Sequence, residues 1–266
     1  MAHFSNANFN AKNYADARPT YVPKIYDVIS DFHKGGKDAV VDVGCGPGMG
    51  TDGLLDLGFK EVYAVDPSEV MIKQGMARPR GDAVKWMVGS GENLTQKLPS
   101  KVDLLTSFEA AHWMDHDRTW QECYDVLNPG GTVAHVMYGH IHLLGNDEAS
   151  KLVLDLAFNK LKAYFQPQHH IAYNLMDDIS PPEWATRVER HKFLAHENCI
   201  MKRDTTLSAL AAHVLSWSPM DKYQQDHPGS TIVPDFLENV KRAYNAKDLD
   251  HPITMAWSMA VFLVSK

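Results

Sequence analysis

The stretch Val41-Asp42-Val43-Gly44-Cys45-Gly46-Pro47-Gly48 constrains this chain more than any other. A short β-branched run, opening at Ala39-Val40, enters directly into a turn carrying Gly44, Gly46 and Gly48. Branched side chains favour a strand, and glycine allows a tight turn in which a ligand can approach the backbone without meeting a Cβ. A helix is expected near 50–57, stopping at Gly58. A second strand, Glu61 to Val65, then ends on Asp66, 22 residues after Gly44.

The same alternation continues downstream. Before the loop, residues 22–33 carry Ile25, Val28, Ile29 and Phe32 at helical spacing, and the Gly35-Gly36 pair ends them. A helix is expected around 68–76, and strands at 84–88, 102–106 and 132–138. Trp120, Cys123, Tyr124 and Leu127 make the apolar stripe of one more helix, which Asn128-Pro129-Gly130-Gly131 should stop. Strands alternating with helices imply a doubly wound, mainly parallel sheet. After residue 139 the rhythm changes to helical or irregular segments rich in His and aromatic residues. Further elements are a strand at 187–194, a helix at 205–217 and a last strand at 255–264. The expected division is an N-terminal segment over 1–34, a core over 35–139, a helical cap over 140–185, and a C-terminal part over 186–266.

Composition narrows the function classes. The net charge is −7 and no run of Lys and Arg stands out, which argues against nucleic acid as a partner. Cys45, Cys123 and Cys199 form no CxxC pair, which argues against a zinc site or a disulfide framework and suits a reducing compartment. The N-terminus lacks the apolar core of a signal peptide, and the apolar run Met255 to Val264 is too short to span a bilayer. The expectation is a soluble, cytoplasmic protein with no membrane partner.

A carboxylate at Asp66, at the end of the second strand, can accept hydrogen bonds from both ribose hydroxyls of an adenosine. A dinucleotide fingerprint, GxGxxG, would need a third glycine where Met49 or Thr51 stands, depending on the starting glycine. Pro47 also withdraws an N–H that a pyrophosphate would use. The loop therefore favours a nucleoside cofactor without a pyrophosphate over NAD(P).

VVDVGCGPG, YAVDPSEVMI, VDLLTSFEAAHW and VLNPGGTVA resemble, in this order, the motifs of class I S-adenosylmethionine-dependent methyltransferases over residues 38–138. The resemblance implies a Rossmann-like methyltransferase fold with a seven-stranded sheet, and S-adenosylmethionine as cofactor. It places Asp42, Gly44, Gly46 and Gly48 at the loop and Asp66 on the ribose. Pro67 flanks the adenine, and Ser90-Gly91-Glu92 stands where the family often has an acidic residue before Ala-Glu. Phe108, with Glu109, falls beside the methyl-transfer centre. A non-methylating S-adenosylmethionine-binding cyclase or isomerase would show the same motifs.

A narrower resemblance lies in Phe9-Asn10 to Tyr21, a FNxxxYxxxRPxY pattern, with Ala111-His112-Trp113 and Ser216-Trp217-Ser218. These are similar to the fungal trans-aconitate methyltransferase-like subgroup, which implies that Tyr14 and Arg18 close over the cofactor. It favours methylation of a carboxylic acid oxygen. Arg18 offers a planar charged fork for a carboxylate, either the methionine end of S-adenosylmethionine or an acidic substrate. His112 and Trp113 follow the fourth strand, at the edge where open α/β sheets place ligands, and Tyr138 and His140 follow the fifth. His112 and His140 are the candidate catalytic groups, as bases for an acceptor that must lose a proton. Trp113, Tyr138 and Trp217 are the candidate substrate contacts. The His140-x-His142 spacing has no accompanying third ligand, so no metal is expected.

Overall fold

The computed structural model describes residues 18–266. An eight-stranded sheet forms among them, in the order β3-β2-β1-β4-β5-β8-β6, with β7 also paired to β8. Its strands are β1 (Ala39–Val43), β2 (Glu61–Asp66), β3 (Lys85–Val88), β4 (Val102–Phe108), β5 (Leu127–Leu143), β6 (Arg187–Phe193), β7 (Met201–Thr206) and β8 (Pro252–Ser265). The first five run parallel, and β8 is antiparallel to β5.

Alternation within the strands explains why both faces are covered. Val40, Val62, Ala64, Leu104 and Ala134 pack into one core, while Val41, Val43, Val65, Leu105 and Val133 pack into the other. A side-chain period of two with apolar residues at both phases leaves neither face able to meet water, so helices must lie on each. α1 (Pro23–Phe32) buries Ile25, Ile29 and Phe32 in the first core, and α4 (His116–Val126) buries Trp120, Cys123 and Val126 in the second. Between them in sequence come two short helices, α2 (Thr51–Leu54) and α3 (Glu69–Met76). The Ser68 hydroxyl caps α3 by accepting from the Met71 N–H, and the Asp115 carboxylate caps α4 at the Arg118 N–H.

Three expectations are revised. The sheet has eight strands rather than seven, because β6 and β7 lie end to end along one edge of β8. β6 pairs with Met259–Ser265 and β7 with Pro252–Trp257, opposite the edge taken by β5. Tyr124 is 42% exposed rather than part of the buried stripe of α4, and it stacks instead under Lys266. Asn128 to Gly131 belong to an irregularity within β5 instead of a loop before it, since the register with β4 jumps from Val102↔Leu127 to Leu104↔Thr132.

The later elements are α5 (Asp147–Asp155), α6 (His169–Tyr173), α7 (Leu207–Leu215), α8 (Ser218–Asp226) and α9 (Ile232–Tyr244). Residues of α6, α7 and α8 face the carboxyl ends of β1, β2, β4 and β5 across a cleft. No helix among the described residues is long and apolar enough to cross a membrane.

Candidate active site

The cleft at the carboxyl ends of the strands opens above the glycine turn. Gly44 and Gly46 both have left-handed backbones, with φ of 68° and 54°. At Gly44 an added Cβ would lie 2.4 Å from the Cβ of Ala110, so the loop can approach the end of β4 only without a side chain there. At Gly46 the same construction meets nothing within 4 Å, because the position opens onto the cleft.

Asp66 is the anchor of this turn. Its Oδ2 accepts the Gly46 N–H at 2.9 Å and its Oδ1 accepts the Ser68 N–H at 2.8 Å. Burial raises its pKa, and the Ser68 and Gly46 hydrogen bonds oppose that shift. One bond per oxygen leaves further lone pairs for hydroxyl donors from a ligand.

The structure places two loop residues elsewhere. Asp42 is fully buried beneath the turn and off the cleft wall, with the Thr51 hydroxyl donating to Oδ2 at 2.6 Å and the Thr106 hydroxyl to Oδ1 at 3.1 Å. Burial pushes its pKa to about 7, against the pull of those two hydroxyls. Gly48 also stands off the wall, and a Cβ there would meet Trp86 Cη2 at 2.6 Å, so this glycine serves packing. Both residues shape the turn from behind, whereas the resemblance puts them on the cofactor.

Arg18, Gly44, Gly46, Asp66, Pro67, Ser90, Gly91, Glu92, Phe108, His112, Trp113, Tyr138, His140 and Trp217 all line the cleft. Tyr14 lies outside the described residues. Ser90 is held by its own N–H, which donates to Asn93 Oδ1 at 2.9 Å. Glu92 ties the wall to the start of α4, since its Oε1 accepts the Asp115 N–H at 3.0 Å. The Arg18 guanidinium is fixed by Nη1 donating to the Tyr138 hydroxyl at 3.2 Å and Nη2 donating to the Ser216 carbonyl at 3.1 Å.

Aromatic rings form much of the remaining wall. Tyr21 packs on Phe108 at 4.7 Å between centroids, and His140 stacks on Tyr173 at 3.9 Å. His112 sits against Trp113 at 4.8 Å, and His169 of α6 meets Trp113 edge-on at 4.9 Å. Burial depresses His112 to about 3, with His169, Arg18 and His116 adding to the effect. Burial likewise depresses His140 to about 3, aided by His142 and His169. Both imidazoles are therefore neutral and weakly basic at neutral pH, which removes most of their value as general bases. His142 turns away to His196, 4.2 Å off.

Four cleft residues escape the sequence argument or are left unoriented by it. His169, Tyr173 and His213 come from α6 and α7, where no motif marks them. Glu109 follows β4 directly, in a left-handed backbone with φ of 54°. Its N–H donates to the Val136 carbonyl at 2.8 Å, and its Oε2 accepts the Tyr138 N–H at 2.8 Å. Burial raises its pKa to about 8, while the Tyr138 N–H and the nearby Arg18 charge pull it down.

Comparison with known proteins agrees with this geometry. Residues 41–135 match a family profile described as a methyltransferase domain. Over 99% of its length the chain is 26% identical to a protein of Saccharomyces cerevisiae, of which it covers 98%. That relative is described as the probable S-adenosylmethionine-dependent methyltransferase CRG1. A solved structure from Anaeromyxobacter dehalogenans, described as a putative type II methyltransferase, superposes with a TM-score of 0.74 at 23% identity, over 92% of this chain and 97% of that one. A phosphoethanolamine N-methyltransferase of Haemonchus contortus, solved with phosphomonomethylethanolamine and S-adenosylhomocysteine, shares the fold with a TM-score of 0.55 at 15% identity. It covers 96% of this chain and 56% of its own. The fold is the class I methyltransferase fold, and residues 41–135 carry the match to the methyltransferase domain. The residues present fit the S-adenosylmethionine named for the yeast relative: an open glycine edge at Gly46 lies beside the Asp66 carboxylate.

Proposed function

We propose that the protein methylates an oxygen of a small molecule, and that the acceptor is a carboxylic acid. The observation that carries this reading is the Arg18 guanidinium, held by Tyr138 and Ser216 on the wall of a cleft otherwise rich in aromatic rings. A fixed cation in such surroundings suits a flat acid whose carboxylate pairs with the charge while its body lies on the rings. The two depressed histidines support the same choice, since a carboxylate is already ionised and needs no base to remove a proton.

In this reading Gly44, Gly46, Asp66, Pro67, Ser90, Gly91 and Phe108 hold the cofactor. When bound, S-adenosylmethionine supplies a methyl group on a sulfonium, open to attack in line by an acceptor oxygen. Asp66 orients the nucleoside through its hydroxyls, and Gly46 lets it lie against the backbone. Arg18 fixes the acceptor's charge. Trp113, Tyr138, Tyr173 and Trp217 exclude water from the reacting atoms, and neutral His112 and His140 offer hydrogen bonds without carrying charge. Residues 140–185, with parts of α7 and α8, would act as the specificity cap over the core.

An acceptor panel tests this. The purified protein is mixed with S-adenosylmethionine and, separately, trans-aconitate, cinnamate, p-cresol and benzylamine, and S-adenosylhomocysteine is measured. Release with the acids and not with the phenol or the amine is expected. Turnover of p-cresol alone would replace the carboxylate reading with a phenol one.

A further inference from the structure

Glu109 is an expensive residue to keep where it stands. Its left-handed backbone is one that a Cβ-bearing side chain adopts at a cost and glycine adopts freely, so the site holds a side chain against local preference. The strain is fixed from two directions. The Glu109 N–H extends the β4–β5 ladder one step past the Phe108↔Val136 pair by donating to Val136, and the carboxyl Oε2 receives the Tyr138 N–H. Oε1 takes no hydrogen bond among the described residues and is not among their buried unpartnered atoms, while the residue itself lines the cleft. No described cation makes an ion pair with this carboxyl. Arg18 is near enough to be felt, but its described hydrogen bonds go to Tyr138 and Ser216.

We propose that Glu109 works as a neutral carboxylic acid that donates its proton from Oε1 to one oxygen of the acceptor's carboxylate, leaving the other oxygen to take the methyl. This rests on the carboxylate reading above. The hydrogen-bond pattern agrees with it: a protonated carboxyl offers a carbonyl oxygen, which Oε2 presents to the Tyr138 N–H, and a hydroxyl, which Oε1 presents to the cleft. A lone pair on the free acceptor oxygen forms the bond to the methyl carbon as the carbon–sulfur bond breaks onto sulfur. One negative and one positive charge disappear together, and the Glu109 proton stays where it is. Arg18 balances the acceptor's charge before transfer, and an ionised Glu109 would repel it.

Other titratable groups face the same cleft, among them the Asp66 carboxylate, whose pKa burial also raises. Arg18 stays charged across the range. Burial lowers the pKa values of His112, His140 and His169, and it raises that of the Tyr173 phenol. His213 and Tyr138 face the same space, and a Glu109→Gln comparison separates the contribution of Glu109 from that of every other group there. Burial puts the Glu109 carboxyl at about 8, so the donor form prevails at neutral pH and is lost above it.

The test is acceptor affinity by calorimetry in the S-adenosylhomocysteine complex, with trans-aconitate and cinnamate, from pH 6 to 9.5. The wild type should lose about tenfold in affinity between pH 7 and pH 9, as the protonated fraction falls. Glu109→Gln keeps a donor at the same place, so it should bind somewhat more weakly at pH 7, lose most of that decline, and bind better than wild type at pH 9.5. Glu109→Ala should bind weakly at every pH, with circular dichroism and thermal unfolding showing that both variants fold. A wild-type affinity that is flat, or that rises with pH, overturns the proposal, as does a Glu109→Gln profile parallel to wild type. If neither acid binds while p-cresol is methylated, the carboxylate reading itself has failed, and the role of Glu109 with it. If the acids bind and are methylated without a Glu109-dependent decline, only the role of Glu109 has failed.

Discussion

Replacing Asp66 probes the cofactor half of the site most sharply. The carboxylate accepts the Gly46 and Ser68 N–H groups, and in the proposed site its remaining lone pairs would take the ribose hydroxyls. A hydrogen bond to an ionised group is worth about 1.5–3 kcal/mol, so losing one net ribose contact should weaken S-adenosylmethionine binding by about 10- to 150-fold. Asp66→Ala also strands two backbone donors, at about 1–3 kcal/mol for each that stays buried, so the variant should melt earlier as well as bind weakly. Asp66→Asn separates the effects, since its amide oxygen can still accept one of the two donors. Calorimetry with S-adenosylmethionine, at one fixed salt concentration, reads the affinity of both variants. Asp82→Asn, on the exposed surface, is the control. Affinity within twofold of wild type in a folded Asp66→Asn protein would refute the assignment of Asp66 to the ribose.

Three further outcomes follow from the same geometry. Gly44→Ala should destabilise the protein by about 1–3 kcal/mol and weaken cofactor binding, because its Cβ would lie 2.4 Å from that of Ala110; adding Ala110→Gly should recover part of the loss in a thermal melt. Asp42 has a folded pKa near 7, above its ordinary 3.8, so its contribution to stability is present below pH 4 and is lost as pH rises to 7. That single group should account for about 4 kcal/mol, and denaturant melts at pH 5 and pH 8 should show a smaller difference for Asp42→Asn than for wild type. His112→Ala should leave S-adenosylmethionine affinity intact and reduce turnover, and the wild-type pH–rate profile should show no limb near 6.5 that disappears in this variant.

Local chemistry explains which parts of this account were legible in the sequence. The glycine turn and Asp66 could be read because glycine spacing after a β-branched strand has few other uses, and the strands of the parallel core announced themselves as short apolar runs. Gly48 shows the limit of such a pattern: a glycine cleared for a ligand and one cleared for the ring of Trp86 look identical until the chain is folded. β7 was missed because Met201-Lys-Arg-Asp-Thr-Thr206 carries charge on a sheet edge and has no apolar alternation. His169, Tyr173 and His213 were not oriented by the sequence, since they reach the cleft through tertiary packing of α6 and α7 rather than through a local motif. Glu109 lies inside a recognised motif, yet the left-handed backbone that gives it meaning is a property of the folded end of β4.

Methyl transfer itself is the most direct test of the central claim. The protein is incubated with S-adenosylmethionine bearing an isotopically labelled methyl group and with trans-aconitate or cinnamate, and the acid is recovered and weighed by mass spectrometry. A labelled methyl ester is expected, formed in step with S-adenosylhomocysteine and lost in Asp66→Ala. Unlabelled acid, with S-adenosylmethionine bound but unconsumed across the whole acceptor panel, would contradict it.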